Sequence, residues 1–199
     1  MSLLFETIRL QDGVFMNLEY HNFRLNKSRK HLFASDDPIK LEQVLQVPKG
    51  CEIGIFKCRV TYGSAIESIQ FELYQKKPVV SLKLVEDNSI SYNYKFSDRS
   101  QLLELFSLRG GCDEILIVKN GFITDTSFSN IIFSDGRNWI TPASPLLNGT
   151  MREFLLKSNI TKAAEISVAE IRNFETARLI NAMLPFGSGN DIPVRNINF

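Results

Sequence analysis

The sequence is poor in the residues that build metal centres and disulfide frameworks. It has three cysteines (Cys51, Cys58 and Cys112) and two histidines (His21 and His31) in 199 residues. The cysteines are odd in number and lack the paired spacing of a zinc site, so we expect reduced thiols. The sequence therefore predicts a cytoplasmic protein with no metal site and no histidine-based catalytic triad.

An excess of charge of one sign and a long apolar run are also lacking. The formal net charge is +1, so neither a nucleic acid nor an anionic membrane is predicted as a partner. No apolar run approaches the ~20 residues of a membrane span. The first residues lack the basic flank and long apolar core of a signal peptide. The hydrophobic content of 44% is ordinary for a globular protein.

The pattern that remains is that of a mixed α/β protein in two halves. Residues 1–77 follow the order strand, strand, helix, helix, strand, strand, and the linker Lys76-Lys77-Pro78 ends this N-terminal α/β domain. Residues 78–199 form a strand-rich C-terminal α/β domain. Its predicted elements include strands at 79–85, 89–94, 114–118, 122–124, 129–133, 139–141 and 177–183, and helices at 100–110 and 150–158. Leu103 and Leu108 are predicted to be buried in the first of these helices.

Lys95 is the first candidate for a catalytic residue. It ends the segment SISYNYK, in which its parity with Ser91 and Asn93 places it opposite the two tyrosines of a strand. A lysine that a strand delivers into an enclosed site can lose its proton by desolvation and form an imine. The alternative is an exposed lysine at the end of a strand, since lysines are rarely buried.

Asp125 is the second such residue, followed closely by Thr126, Ser127 and Ser129. A carboxylate that contacts a pyridine nitrogen keeps that nitrogen protonated, and the charged ring then accepts the electrons of a carbanion. The alternative is a turn or cap aspartate whose hydroxyl neighbours bond to the local backbone.

Gly149 precedes a predicted helix that begins Thr150-Met151-Arg152. The backbone N–H groups at a helix start bind anions, and a glycine leaves room for a phosphate. Arg24 could add a bidentate contact to the same anion, and the strand end at Asn181-Ala182 a third. The alternatives are an ordinary helix start capped by Asn148 and one more solvated cation on a basic helix.

Seven segments, in order, resemble the class IV aminotransferase family, which comprises the fold-type IV enzymes dependent on pyridoxal phosphate (PLP). They are FETIRLQDG, EYHNFRL, CRVTYG, YNYKFSDR, DEILIVKNGFITDTSFSNIIF, TPASPLLNGTMREFLL and ARLINAMLPF. The family includes branched-chain and D-amino-acid aminotransferases and 4-amino-4-deoxychorismate lyase, and the GTMRE and INAMLPF pieces most resemble the lyase branch. The resemblance implies two small α/β units with PLP between them, and a homodimer.

The resemblance also implies roles for individual residues. Lys95 would be the Schiff-base lysine and the proton carrier, and Asp125 would pair with the pyridine nitrogen where the family usually has glutamate. The implied phosphate contacts come from Arg24, from the backbone at Gly149, Thr150 and Met151, and from Asn181 and Ala182. The implied substrate contacts come from Arg59 and Tyr62.

Two departures from the family pattern are visible. The chain begins at the first hairpin and is short for the family, so we expect part of the substrate enclosure to be absent or supplied by a partner subunit. Asp125 is one methylene shorter than glutamate, so either the ring lies nearer this strand or a water bridges the gap.

Three functions fit these residues. The first is transfer of an amino group between a small amino acid and a 2-oxo acid. The second is a lyase that converts aminodeoxychorismate to 4-aminobenzoate and pyruvate with the same cofactor residues. The third is a non-catalytic descendant that keeps the fold and binds a phosphorylated ligand.

Overall fold

The computed structural model describes residues 2–199 and divides into two compact units. The first comprises residues 2–76 with Tyr94–Asp98, and the second comprises Lys77–Asn93 and Arg99–Phe199. Both mix helices and strands, which confirms the predicted α/β class. The predicted domain limits, 1–77 and 78–199, stay a prediction. Within residues 2–199, no helix has the length and apolarity needed to cross a bilayer.

The first unit is an antiparallel sheet with two helices. Its elements are β1 (Leu4–Gln11), β2 (Val14–Phe15), α1 (Leu18–Phe33), α2 (Leu41–Val44), β3 (Ile55–Tyr62) and β4 (Ile66–Leu73). The strand order is β2-β1-β3-β4. Asp12 and Gly13, at φ 49° and 79°, form the tight turn between β1 and β2. Two positive φ values in succession are typical of the hairpin turn that matches the natural twist of the strands.

One face of this sheet forms the core of the first unit. Leu4 and Ile8 of β1 and Val60 and Tyr62 of β3 pack with Leu25 of α1, and each of these five side chains is fully buried. Side chains alternate between the two faces of a strand, so Glu6 lies on this same apolar face. It is also fully buried, and a carboxylate in that position needs polar partners.

The second unit contains two sheets and two further helices. Its elements are β5 (Leu82–Glu86), α3 (Ser100–Ser107), β6 (Glu114–Lys119), β7 (Phe122–Thr126), β8 (Asn130–Ser134), β9 (Trp139–Pro142), α4 (Thr150–Lys157), β10 (Lys162–Ala164), β11 (Thr176–Ile180), β12 (Asp191–Pro193) and β13 (Ile197–Asn198), with 3₁₀ turns at Ala169–Asn173 and Val194–Asn196. The strand orders are β10-β9-β8-β11-β12 and β13-β5-β6-β7. Strands β6 and β8 are buried along almost their whole length, which explains their continuous apolar sequences.

The predicted strand at 89–94 is wrong, because this segment is irregular. The carboxylate of Asp87 accepts hydrogen bonds from the backbone N–H of Ser89 at 2.7 Å and of Ile90 at 3.1 Å. Such a side-chain turn competes with strand pairing. Tyr92 and Tyr94 then pack in different apolar clusters, so their alternation in sequence does not define one strand face.

The helix predicted at 100–110 is shorter than expected and buries fewer leucines. Leu102 and Leu105 are buried, whereas Leu103 and Leu108 are about 60% exposed, against the prediction. Leu102 and Leu105 lie three residues apart on one face of α3, and Leu103 lies on another face. Leu108 follows the last residue of the helix.

Replacement of Leu25 by alanine should lower the free energy of unfolding by about 3 kcal/mol, because it leaves a cavity in a fully packed site. Leu73→Ala is the matched control, since Leu73 is 61% exposed at the end of β4. Urea unfolding of both variants measures the difference. Equal stability of the two variants would contradict the core described above.

Candidate active site

Glu6 is the centre of a buried ionic network in the first unit. Arg24 donates from Nε to Glu6 Oε1 at 2.8 Å and from Nη2 to Oε2 at 2.5 Å. His21 Nδ1 lies 2.6 Å from the same Oε2. Burial alone would raise the pKa of Glu6, but the charge of Arg24 and the hydrogen bonds with His21 and Arg24 hold it at about 2. Glu6 is therefore an anion at every physiological pH.

His21 is the neutral member of this network. Burial lowers its pKa, and the positive charges of Arg24 and Lys95 add to the effect against the attraction of Glu6. A neutral imidazole next to an ionised carboxylate donates Nδ1–H to it and keeps Nε2 as an acceptor. Nε2 is buried and has no hydrogen-bond partner within residues 2–199.

The network fixes the orientation of Arg24, the predicted phosphate ligand. The Glu6 contacts use two of the five N–H donors of the guanidinium, along its Nε–Nη2 edge. A phosphate at Arg24 would therefore be bound through other donors of the fork. The sequence analysis missed Glu6 and His21 as partners, although Glu6 stands out as a charged residue on the apolar face of β1.

Lys95 does not end a strand as predicted, but its backbone is tied to β1. The N–H of Phe5 donates to the carbonyl of Lys95 at 3.0 Å, and the N–H of Ser97 donates to the carbonyl of Leu3 at 2.8 Å. An isolated β-bridge joins Leu4 to Phe96. The Lys95 ammonium lies 4.8 Å from the centroid of the Phe5 ring. Backbone pairing to a buried strand thus positions this lysine.

The two predicted substrate residues of β3 lie on opposite faces of the sheet. The guanidinium carbon of Arg59 is 3.8 Å from the centroid of the Phe5 ring. Tyr62 is fully buried in the core with Leu4 and Leu25, and burial raises the pKa of its hydroxyl. Tyr62 therefore has a packing role in this structure, and its predicted contact with substrate stays a prediction.

Asp125 is a buried carboxylate at the end of β7, 5% exposed. Its Oδ1 accepts from Asn130 Nδ2 at 2.8 Å, and its Oδ2 accepts from the backbone N–H of Leu147 at 2.9 Å. Burial raises the pKa of Asp125 to about 6 against these hydrogen bonds and the charge of Arg152. A cation placed against this carboxylate would hold it ionised, so the site fits a protonated ring nitrogen.

The hydroxyls after Asp125 shape the loop that follows it. Thr126 Oγ1 and Ser129 Oγ lie 2.8 Å apart, and Ser127 Oγ donates to Glu114 Oε2 at 2.9 Å. Burial raises the pKa of Glu114, which also accepts from the backbone N–H of Ser127 at 3.3 Å. These contacts correspond to the local bonding that the sequence left open as an alternative. The sequence analysis missed Glu114 and Asn130, because their partners are set by strand pairing.

Helix α4 begins after Gly149, which has φ −71° and ψ 145° and no side chain to cap the helix. A Cβ at Gly149 would lie 1.9 Å from Asn130 Oδ1, so the packing against Asn130 requires a glycine. Thr150 and Met151 are buried, and the predicted contact of their backbone with a phosphate stays a prediction.

Asn181 closes a turn at the end of β11. Its Oδ1 accepts from the backbone N–H of Met183 at 2.8 Å and of Leu184 at 2.9 Å. Its own N–H donates to the Leu184 carbonyl at 3.2 Å. Both groups are thus engaged within the turn, and the predicted phosphate contact of Asn181 and Ala182 stays a prediction.

The predicted site residues are divided between the two units. Arg24, Arg59, Tyr62 and Lys95 belong to the first unit, and the remainder belong to the second. The model of the family "Amino-transferase class IV" matches residues 3–190. The chain belongs to this family. Membership confirms the predicted resemblance, the PLP cofactor and the enzyme class, that is, a PLP-dependent aminotransferase or lyase.

Several individual proteins are similar to this class IV chain over most of its length. An uncharacterized protein of Haemophilus influenzae is 37% identical over 182 residues, which cover 90% of this chain and 97% of that protein. A candidate 4-amino-4-deoxychorismate lyase from Haemophilus somnus is 35% identical with a TM-score of 0.86, covering 94% of this chain and 98% of its own. A candidate amino-acid aminotransferase from Mesorhizobium loti shares the fold at 22% identity, with a TM-score of 0.80 and coverages of 97% and 98%.

Glu6→Gln should destabilise the protein by about 3 kcal/mol at pH 7, because it leaves Arg24 without its buried counter-ion. The pKa of Glu6 is about 2 in the fold against an ordinary 4.5. Its contribution is therefore full above pH 4.5 and is lost as the pH falls towards 2. Urea unfolding at pH 7, 4.5 and 3 should show that the difference in the free energy of unfolding between wild type and variant becomes smaller as the pH falls.

Glu72→Gln is the control for this pH series. Glu72 pairs with Lys57 on the surface of the same unit and is 62% exposed, so its loss should change stability by less than about 1 kcal/mol. If the difference in unfolding free energy between wild type and Glu6→Gln did not change with pH, Glu6 would not be the ionised group described.

Gly149→Ala should destabilise the protein by about 2 kcal/mol, because the new Cβ overlaps Asn130 Oδ1. Displacement of Asn130 would also loosen the hydrogen bond to Asp125, so we expect weaker PLP binding. Gly111→Ala is the control, since nothing lies within 4 Å of a Cβ at that position. Urea unfolding and a PLP titration compare the two variants, and equal behaviour would contradict the packing at Gly149.

Proposed function

We propose that the chain transfers an amino group between an amino acid and a 2-oxo acid, with PLP as cofactor and Lys95 as the proton carrier. The observation that supports this most is Asp125. It is a buried carboxylate whose pKa is raised to about 6 and whose protein partners are mainly neutral donors. Asp125 forms no ion pair, although the charge of Arg152 acts on it, and a carboxylate bound mainly by neutral donors is suited to a cationic ring nitrogen.

The residues that would hold PLP are those named in the sequence analysis. When bound, PLP supplies an electron sink for the substrate carbon that loses its proton. Asp125 would hold the ring nitrogen in its protonated form. Arg24, the backbone at Gly149, Thr150 and Met151, and the pair Asn181 and Ala182 would bind the phosphate.

Lys95 would act as general base and then as general acid on the substrate carbon. Its backbone is held to β1 by the hydrogen bond from Phe5. The side chain can therefore rotate while the backbone stays in place. The guanidinium of Arg59 lies over the same Phe5 ring as the Lys95 ammonium.

The second candidate is the lyase reaction on aminodeoxychorismate, which gives 4-aminobenzoate and pyruvate. The observation in its favour is the 35% identity to the candidate 4-amino-4-deoxychorismate lyase over 94% of this chain. It needs the same lysine, carboxylate and phosphate contacts. The two reactions differ in what leaves the substrate after the proton is removed, so assays of the products separate them.

We also propose the homodimer and the cytoplasmic location that were predicted from the sequence. Size-exclusion chromatography with light scattering measures the first.

Lys95→Ala should lower the turnover number by at least about 1000-fold, because no other group then carries the proton. Lys162→Ala is the control, since Lys162 is exposed on β10 and should leave activity unchanged. Borohydride reduction with PLP, followed by peptide mass spectrometry, should place the cofactor on Lys95 in the wild type and in the control. Product assays follow amino transfer to 2-oxo acids and pyruvate release from aminodeoxychorismate.

The product assays have three informative outcomes. Amino transfer without pyruvate release supports the first proposal, and pyruvate release without amino transfer supports the lyase. Absence of both products, together with no PLP on Lys95, would favour the non-catalytic descendant.

A further inference from the structure

The segment between β9 and α4 depends on side chains from outside it. Residues 143–149 form no helix or strand, and Gly149 at their end directly precedes α4. The backbone N–H of Leu147 donates to Asp125 Oδ2 at 2.9 Å, and the carbonyl of Leu147 accepts from Asn130 Nδ2 at 2.8 Å. Backbone groups that have no helix or strand partner need such bonds when they are withdrawn from water. Asp125 and Asn130 therefore hold this segment at Leu147.

Arg152 joins the two ends of the same segment. Its Nη2 donates to the carbonyl of Pro142, the last residue of β9, at 2.8 Å. Its Nη1 donates to Asn148 Oδ1, next to Gly149, at 3.3 Å. A guanidinium presents its donors in a rigid plane, so these two contacts restrict the distance between the start and the end of the segment.

Arg152 occupies an unfavourable position for a cation. It is 5% exposed and lies in the first turn of α4, where the helix dipole is positive. Its Nε–H is buried as well and has no hydrogen-bond partner within residues 2–199. Burial lowers the pKa of Arg152, against the charges of Asp125 and Glu153. An apolar side chain of similar length would avoid these costs, which indicates that the charge itself has a function here.

The charge of Arg152 acts on Asp125 without a direct bond. The two side chains form no ion pair within residues 2–199, in contrast to Glu6 and Arg24, whose atoms approach to 2.5 Å. Burial raises the pKa of Asp125 to about 6, and the charge of Arg152 is among the causes that oppose this rise. Because the guanidinium does not bond to the carboxylate, both carboxylate oxygens keep acceptor capacity beyond the bonds already described. Arg152 thus favours the ionised form of Asp125 and leaves it able to accept from another donor.

We propose that Arg152 is a positioning residue of the PLP site, which fixes residues 143–149 and keeps Asp125 ionised without bonding to it. The inference rests on the proposed function, in which Asp125 pairs with the protonated ring nitrogen and the backbone at the start of α4 binds the phosphate. A carboxylate must be ionised to accept from that nitrogen through either oxygen. The start of α4 must be held in place to present its N–H groups to an anion. One buried guanidinium meets both requirements.

The first measurement is the titration of Asp125 in the full chain freed of PLP. Its carboxyl carbon is followed by 13C NMR, and the signal is identified by its loss in Asp125→Asn. Arg152→Met should raise the midpoint by about half a pH unit, because a positive charge is removed from a poorly solvated site. Arg152→Lys keeps the charge and should titrate as wild type does. A purely structural role of Arg152 would leave the two variants alike.

The second measurement is the affinity for PLP, by equilibrium dialysis. Arg152→Met should weaken PLP binding by about 10-fold, because both contacts that join the ends of the segment are lost. Arg152→Lys lacks the planar fork and should weaken it by about threefold. Arg178→Met is the matched control, since Arg178 is 14% exposed in the same unit and already pairs with Asp191 at 2.7 Å. It should leave the titration of Asp125 and the PLP affinity as in the wild type.

Two results would overturn the role of Arg152. One is the same midpoint for Asp125 in wild type and Arg152→Met, and the other is the same PLP affinity in these two proteins. If Arg152→Met does not fold, Arg152→Lys carries the test. It is then expected to bind PLP about threefold more weakly with a wild-type midpoint for Asp125. An unchanged affinity or a raised midpoint in Arg152→Lys would contradict the inference.

Borohydride trapping of PLP on Lys95 separates this inference from the proposed function. Trapping in the wild type, with no effect of Arg152→Met on either measurement, overturns only the role of Arg152. Absence of trapping in the wild type overturns the proposed function. The titration of Asp125 needs no PLP, so it still decides whether Arg152 controls the ionisation of Asp125.

Discussion

The buried carboxylate of Glu6 is the constraint on which the first unit depends. Removal of a carboxylate from water costs several kcal/mol unless charged and hydrogen-bonding partners replace the solvent. Those partners, His21 and Arg24, lie one turn apart on α1 and contact the same carboxylate. Because Leu25 follows Arg24 into the core, the polar and apolar contacts specify the same rotation of α1 against the sheet. The orientation of the predicted phosphate ligand is thus a consequence of how the helix packs.

The two buried carboxylates at the predicted site differ in a way that bears on function. Cationic Arg24 holds the pKa of Glu6 at about 2, so this carboxylate is satisfied within the fold. Asp125 has an amide and a backbone N–H as its close partners, and burial raises its pKa to about 6. Burial therefore disfavours the ionised form of Asp125, and the charge of Arg152 offsets this only in part. Its carboxylate is held in place by Asn130.

The sequence predicted the local elements at the candidate site better than the contacts that surround them. Asp125 and Gly149 are recognisable because a strand end and a helix start have local signals. The strand expected before Lys95 failed because the side chain of Asp87 bonds to the backbone two and three residues on, a contact that alternation of polar and apolar residues does not reveal. The prediction that Leu103 and Leu108 are buried was wrong, because a leucine-rich helix contains more apolar residues than one buried face can hold. The network at Glu6 depends on which helix covers β1, and that is a tertiary property.

Strand β1 links packing and chemistry through its register. Glu6 faces the core and pairs with polar side chains of α1. Its neighbour Phe5 faces the other way, and its ring contacts Arg59 and Lys95. A slip of one residue would exchange these faces, turning the ring of Phe5 towards the core beneath α1 and moving the carboxylate to the side of the two cations. Eight consecutive pairs with β3 and the tight turn at Asp12 and Gly13 oppose such a slip. The same pairing that stabilises the sheet therefore keeps the anion of Glu6 on the face opposite Arg59.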